Sequence, residues 1–321
     1  MKVAALAGGI GAGKFLRGLC RVLSPEDVTV IVNTGDDIDL YGLRVCPDLD
    51  SVTYWLAGVM DRERGWGRAR ETFRTLDELR AFDPSDAWFG LGDLDLATHL
   101  HRTSLLRSGR SLSAATRSIA EGLGVRATVL PMTDAMVATR LEAVDNGGNA
   151  LDLHFQEYWV LRQARDEVKR VRFAGVERAE PAPGVLRAIE DSEAVLLCPS
   201  NPIVSIDPIL AVPGIAEAVR ARRGRVAGVS PIVRGAPLRG MADRLLPTAG
   251  VEVTAAGVAS YYAERGLLGA WVFDQSDAGL EARVRALGLR ASLTDTIMVD
   301  DAASERLARI ALGAALAGPA G

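Results

Sequence analysis

Short, almost wholly apolar runs alternate along the chain with longer stretches of helical periodicity. The runs are Val3–Ala7, Val28–Val32, Ala127–Leu130, Ala194–Cys198 and Val226–Val229. Strands buried on both faces read this way, because neither face of the pleat is left for polar side chains. Each run breaks into glycine or small polar residues: Gly8-Gly-Ile-Gly-Ala-Gly-Lys14, Asn33-Thr-Gly-Asp-Asp37, Pro131-Met-Thr-Asp134, Pro199-Ser-Asn-Pro202 and Ser230-Pro-Ile-Val233. Helical patterns follow, the first over 14–23. The pattern predicts an α/β protein with a Rossmann-like, doubly wound and mostly parallel sheet. Ligands of such sheets bind beyond the carboxyl ends of the strands, where these polar clusters fall.

One segment departs from the alternation. Thr139–Val144 and Ala150–Phe155 flank Asp145-Asn-Gly-Gly-Asn149, whose Asn and Gly tolerate the positive φ of a hairpin turn. Val168–Phe173 offers a third strand. Residues 138–180 therefore read as an antiparallel hairpin and helix inserted into a single domain spanning 1–321, with Pro181, Pro183 and Gly184 at its exit. The Ala/Gly-rich tail from Ala311 is expected to fray.

Composition narrows the function classes. The 321 residues carry 37 Lys+Arg against 41 Asp+Glu, a net charge of −4. That balance argues against nucleic acid as a partner, since an extended polyanion needs a basic surface. No apolar run reaches the ~18 residues that span a bilayer, so no membrane partner is expected, and the N-terminal apolar run is read as a first strand. Cys20, Cys46 and Cys198 are odd in number and widely spaced. They suit a reducing cytoplasm better than a disulfide scaffold or a thiolate zinc site. His99, His101 and His154 lack the i,i+4 spacing of a helical zinc motif, so any catalytic metal falls to carboxylates, which favours magnesium.

The glycine loop after the first strand carries the strongest local signal. Its glycines let backbone N–H groups approach phosphate, and the helix that follows adds its positive end. Gly8, Gly13 and Lys14 keep the spacing of a mononucleotide-binding loop, but Phe15 replaces the Ser/Thr that ligates magnesium. Gly9, Gly11, Gly13 and Lys14 are the candidate phosphate contacts. Asn33, Thr34, Asp36, Asp37, Asp48 and Asp50 form an acidic cluster after the second strand that a cation would stabilise; a solvated acidic loop is the plain alternative. Trp88 and Phe89 are candidates to stack on a planar ring, with Asp93, His99, Arg102 and Thr103 for its polar groups. Ser200, Asn201 and Ser230 sit at strand ends, where they either cap helices or bind ligand, with Arg234 a candidate phosphate partner. Trp55, Trp66, Trp159 and Trp271 read as packing residues.

Taken in order, these segments resemble the 2-phospho-L-lactate transferase family of coenzyme F(420) biosynthesis. The resemblance also includes Gly42-Leu-Arg-Val-Cys-Pro-Asp-Leu-Asp50, Arg64-Gly-Trp-Gly67, Trp88-Phe-Gly-Leu-Gly-Asp93, Leu96-Ala-Thr-His-Leu100, Arg102-Thr103 and Phe155-Gln-Glu-Tyr-Trp159. Arg239-Gly-Met-Ala departs from an expected Gly-Pro. The resemblance implies a homodimeric, Rossmann-like, magnesium-dependent transferase. Its substrates would be the deazaflavin Fo and a guanosine diphosphate-linked three-carbon acid, and GMP would leave. On this reading Asp36 and Asp50 are metal ligands, Asp37 a supporting carboxylate or base, and Ser200 and Asn201 contacts to guanosine or phosphate. Trp88 and the 98–103 stretch would then face Fo. The transferred acid stays open among phospholactate, phosphoenolpyruvate and phosphoglycerate. Two rivals are a nucleotide-sugar-binding regulator related to gluconeogenesis factors and a nicotinamide-dependent dehydrogenase. The first lacks its Gly-Gly-Ser-Ser-Gly run, since Ile38-Asp-Leu-Tyr41 follows the paired aspartates; the second lacks an intact Gly-x-Gly-x-x-Gly.

Overall fold

The computed structural model describes residues 1–82, 84 and 87–318. Its strands in chain order are β1 (Val3–Ala7), β2 (Val28–Val32), β3 (Ile38–Leu40), β4 (Leu43–Val45), β5 (Thr128–Pro131), β6 (Ala138–Val144) and β7 (Ala150–His154). They continue with β8 (Glu167–Ala174), β9 (Ala194–Leu197), β10 (Val226–Val229), β11 (Ile232–Val233), β12 (Ala236–Pro237), β13 (Ala270–Asp274) and β14 (Arg290–Thr294). The central sheet has seven strands in the order β14-β13-β10-β9-β1-β2-β5, and every neighbouring pair is parallel.

The sheet is buried on both sides, as the apolar runs require. One layer of core joins β1 and β2 residues Val3, Ala5, Val28 and Val30 to helix α1 (Gly9–Val22) and to the last helix, Asp301–Leu316. Leu6, Ile31, Leu197, Val226 and Trp271 face the other layer, which includes Tyr158 and Ile209. The expectation of a frayed tail from Ala311 is corrected here. The helix runs to Leu316 with Ala311 and Ala315 fully buried, because a small-residue face fits closely against α1 and the sheet.

Residues 138–174 depart from the parallel core as a three-stranded antiparallel sheet ordered β7-β6-β8. It packs Leu141, Phe155 and Tyr158 onto the core layer that holds Leu6 and Ile31. Among the described residues no single helix is long and apolar enough to cross a membrane. All six connections along the sheet run strand to parallel strand, so the segments following β1, β2, β9, β10 and β13 emerge at one edge. That edge carries the site.

Candidate active site

A cavity of about 930 Å³ opens at the carboxyl edge. It is lined by Gly8–Gly11 and Lys14 from the start of α1, Asp36 after β2, Ser200 and Asn201 after β9, Ser230 after β10, and 296–299 after β14. Helix α2 (Pro47–Ala57) adds Asp48 and Asp50, and helix α4 (Asp93–Arg107) adds Asp95 and His99. Of the residues expected from sequence, Gly9, Gly11, Lys14, Asp36, Asp48, Asp50, His99, Ser200, Asn201 and Ser230 line this one space.

The glycine loop is built differently from an open phosphate cradle. A Cβ on Gly8 would stand 2.5 Å from Asp48 Oδ2, one on Gly11 would meet the Pro199 carbonyl oxygen at 2.4 Å, and one on Gly13 would enter the Trp55 ring at 2.2 Å. Gly13 therefore lies in the contact between α1 and α2, outside the lining. The Gly8 N–H donates to Ser200 Oγ at 3.2 Å and the Gly9 N–H to Asp48. The protein's own oxygens thus take part of the positive end of α1, and Lys14 remains the loop's charged contact with the cavity.

Asp48 and Asp36 form the acidic floor. Asn33 donates to Asp48 Oδ2 at 2.9 Å and to the Val204 carbonyl at 3.1 Å, while its own oxygen accepts from the Gly35 N–H at 2.8 Å. Asn33 and Thr34 are buried behind the floor as supports. Burial, and then the charge of Asp48, raises the pKa of Asp36 well above the carboxylate range. Burial pushes Asp48 up to about 6, against hydrogen bonds from Asn33 and Gly9. Among the described residues Asp36 Oδ1 is buried with no hydrogen-bond partner. Two close, desolvated carboxylates with an unused oxygen form an arrangement that a cation would complete.

Asp50 and Asp37 have other partners. Arg102, 1% exposed, engages both Asp50 oxygens: Nη1 donates to Oδ2 at 3.1 Å and Nη2 to Oδ1. A carboxylate so engaged has little left for a metal, and Asp48 is the lining carboxylate beside Asp36 that has no arginine partner among the described residues. Asp37 lies behind the lining against Cys46, Arg102 and Arg44, its pKa pushed up to about 7 by burial. Among the described residues no cluster of three or more His, Cys, Asp or Glu side chains is placed to hold a metal.

Other expected residues also fall outside the lining. Asp93 accepts from the Arg74 and Thr75 N–H groups at 3.3 and 3.0 Å, capping the helix Arg74–Phe82. Thr103 Oγ1 accepts from the Arg44 N–H at 2.8 Å. Trp88 packs with Leu40, Leu91 and Leu96, edge-on to Phe89, and only Phe89 reaches the cavity. Arg234 is exposed, and its N–H is held by Asp277. Asn201 does both things foreseen for it: it caps Ile203 N–H at 3.0 Å and also lines the cavity.

Sequence reading missed a second group of residues. Trp66 and Trp159, taken as packing residues, are 41% and 39% exposed and line the mouth with Leu238 and Val299. Asp95, buried between Tyr54 and Glu71 and near Asp50, has its pKa pushed up to about 7, chiefly by burial. Arg239 comes from the loop after β12; its Nη1 donates to the Arg64 carbonyl at 3.3 Å and lies where a Gly65 Cβ would be. Nearby Arg62 and Arg64 are paired with Asp301 and Asp61 at 3.1 and 2.9 Å. Lys14 and Arg239 form no ion pair among the described residues. Burial, then Arg239 and Arg62, lowers the Lys14 pKa, so this end of the cavity is set to receive an anion. The Arg64-Gly-Trp-Gly motif, where Gly65 and Gly67 both take positive φ, was the available signal for this wall.

Residues 3–307 match the family described as 2-phospho-L-lactate transferase CofD. A phosphoenolpyruvate transferase of Streptomyces griseus is 48% identical over 312 residues, covering 97% of this chain and 98% of its own. One from Streptomyces coelicolor is 49% identical with 97% of each chain covered, and one from Mycolicibacterium smegmatis is 39% identical with 97% and 98% covered. Among solved structures, a UPF0052 family protein of Bacillus halodurans superposes with a TM-score of 0.62 at 17% identity, covering 97% of this chain and 99% of that one. That likeness is one of fold.

Proposed function

The chain belongs to the 2-phospho-L-lactate transferase CofD family, and from that premise we propose that it transfers a phospho-three-carbon acid from a guanosine diphosphate-linked donor to Fo, releasing GMP. The observation that carries this reading is the juxtaposition in one cavity of the Asp36–Asp48 floor, the unpaired cations Lys14 and Arg239, and an apolar mouth. Relatives at 48–49% identity are named phosphoenolpyruvate transferases, which supports phosphoenolpyruvate as the acid.

In the reaction, the terminal ribityl hydroxyl of Fo attacks the phosphorus that bears the acid. A new P–O bond forms as the P–O bond to GMP breaks, and the hydroxyl loses its proton. Lys14 and Arg239 hold donor oxygens by charge-assisted hydrogen bonds. Asp36 and Asp48 would hold magnesium, the donor phosphates completing the oxygen set that this ion prefers. Held there by Asp36 and Asp48, such an ion would offset charge on the leaving phosphate. Asp95, held near neutrality in the lining, suits the task of taking the hydroxyl proton. Trp66, Phe89 and Trp159 offer ring faces for the deazaflavin, while Ser200 and Asn201 stand on the nucleotide side of the glycine loop. The described chain is one protomer, and a homodimer with a cytoplasmic location completes the proposal.

The choice of acid is tested by incubating the protein with Fo, magnesium and each guanosine diphosphate-linked acid in turn, and weighing the product. The enolpyruvyl donor should give the dehydro product at least tenfold faster than the lactyl donor. A faster lactyl or glyceryl product would contradict the choice.

A further inference from the structure

His99 sits on α4 in the cavity wall, with 2% of its surface exposed. Its Nδ1 lies 3.1 Å from Arg102 Nη1. A guanidinium nitrogen only donates, so a proton on Nδ1 would face another donor, and this geometry favours the neutral imidazole with its single ring proton on Nε2. The two Nη1 hydrogens are shared among Asp50 Oδ2, the Arg44 carbonyl and His99 Nδ1, and the Asp50 pairing holds the guanidinium in place. Asp50 Oδ2, at 3.6 Å from Nδ1, is too far to claim that position as a hydrogen-bond acceptor. A protonated ring would point an N–H at the guanidinium. Burial lowers the imidazole pKa to about 4, with Asp50 raising it and Arg102 lowering it further. Tyr54 and Asp95 are the other ionisable groups of this wall.

The far nitrogen is different. Nε2 has no hydrogen-bond partner among the described residues, and unlike His154 Nε2 it is not sealed from surrounding space. A nearly buried ring with one nitrogen fixed from behind, and the other unpaired beside a cavity, leaves one strong donor without an acceptor. We propose that His99 is a substrate-positioning residue whose Nε2–H donates to an acceptor oxygen of the bound ligand. It takes no part in proton transfer. The neighbouring Phe89, Leu91 and Tyr54 make this the wall for a planar heteroaromatic ligand, so a carbonyl of Fo is the expected acceptor and a phosphate oxygen of the nucleotide the other source. That assignment of ligand rests on the transferase reading above; the assignment of the proton does not.

The two parts are tested separately on the full chain. With 15N-labelled histidine at pH 7, long-range proton–nitrogen correlations should show the His99 ring as the Nε2–H tautomer, identified by its disappearance in His99→Gln. An Nδ1–H tautomer or an imidazolium would overturn the proposal. Calorimetry with Fo and with GDP is then compared for the wild type, His99→Gln and His99→Asn. The glutamine amide reaches the Nε2 position and the shorter asparagine does not. His99→Asn should weaken one ligand by about tenfold, while His99→Gln stays within about threefold of wild type, the range of one hydrogen bond. Wild-type binding of both ligands by both variants would overturn the positioning role. Failure of the wild type to bind either ligand would refute the transferase reading, while the tautomer measurement still decides where the proton lies.

Discussion

Asp36 and Asp48 ionise against the cost of burial and, with Asp37 and Asp95, contribute to the pH dependence of stability. Burial raises both, Asp48 to about 6 from an ordinary value of 3.8. A carboxyl raised on folding binds its proton more tightly in the folded state. Its contribution to stability is therefore complete below the unfolded pKa and is lost as pH rises through the folded one. Between about pH 4 and pH 6 the free protein should lose stability from Asp48, with the loss from Asp36 extending it upward, and a divalent cation should restore stability above that window. Saturating magnesium is expected to raise the melting temperature at pH 7.5 by roughly 2 °C, and by much less at pH 5, where protons hold the site. An equal increment at both pH values, or one that survives in Asp48→Asn, would remove this pair from the metal site. Asp50 behaves otherwise. Asp50→Asn would strand the buried Arg102 guanidinium, and truncating one partner of such a pair costs roughly 3–5 kcal/mol. Its urea midpoint should fall accordingly, with activity lost through the fold. An unchanged midpoint together with lost magnesium binding would return Asp50 to the ligand set.

At the scale of elements, the glycine loop shows how packing and chemistry share the same residues. Gly13 is where α1 crosses α2, and a Cβ there would enter the rigid Trp55 ring at 2.2 Å. Gly13→Ala should cost about 1–3 kcal/mol in urea unfolding, as overpacked core sites do. Wild-type stability would mean that α1 and α2 can separate freely. Sequence shows the glycines but not their partners, since Pro199 and Trp55 arrive from other elements. The same limit explains which strands were legible. β1, β2, β9 and β10 announce themselves because both faces are buried, leaving continuous apolar runs. β13 hides behind Trp271, which reads as an isolated packing residue. β14, Arg290-Ala-Ser-Leu-Thr294, is a half-buried edge with no apolar run at all. The acidic cluster was legible because its residues fall within one short stretch. Its division into a pair held only by neutral donors, Asp36 and Asp48, and a carboxylate paired with arginine, Asp50, depended on Arg102 folding back from α4. Asp93 and Asp95 differ in sequence by two positions, yet one caps a neighbouring helix and the other lines the cavity. Helical rotation makes that distinction, which no motif records.

The whole molecule brings residues from Gly8 to Val299 to one edge of a parallel sheet, where cations, carboxylates and aromatic rings line one cavity. A net charge of −4 gives no hint of this separation, because the charges that matter are sorted by the fold. The central claim is that the phosphorus-linked acid passes directly from the nucleotide to Fo. It is tested most directly by rapid quenching of the full chain mixed with magnesium, Fo and the enolpyruvyl guanosine diphosphate donor, counting GMP and the Fo adduct in each sample. One GMP is expected for each adduct at every time point, and neither product when Fo is omitted. GMP accumulating without an adduct, or no GMP at all, would contradict it.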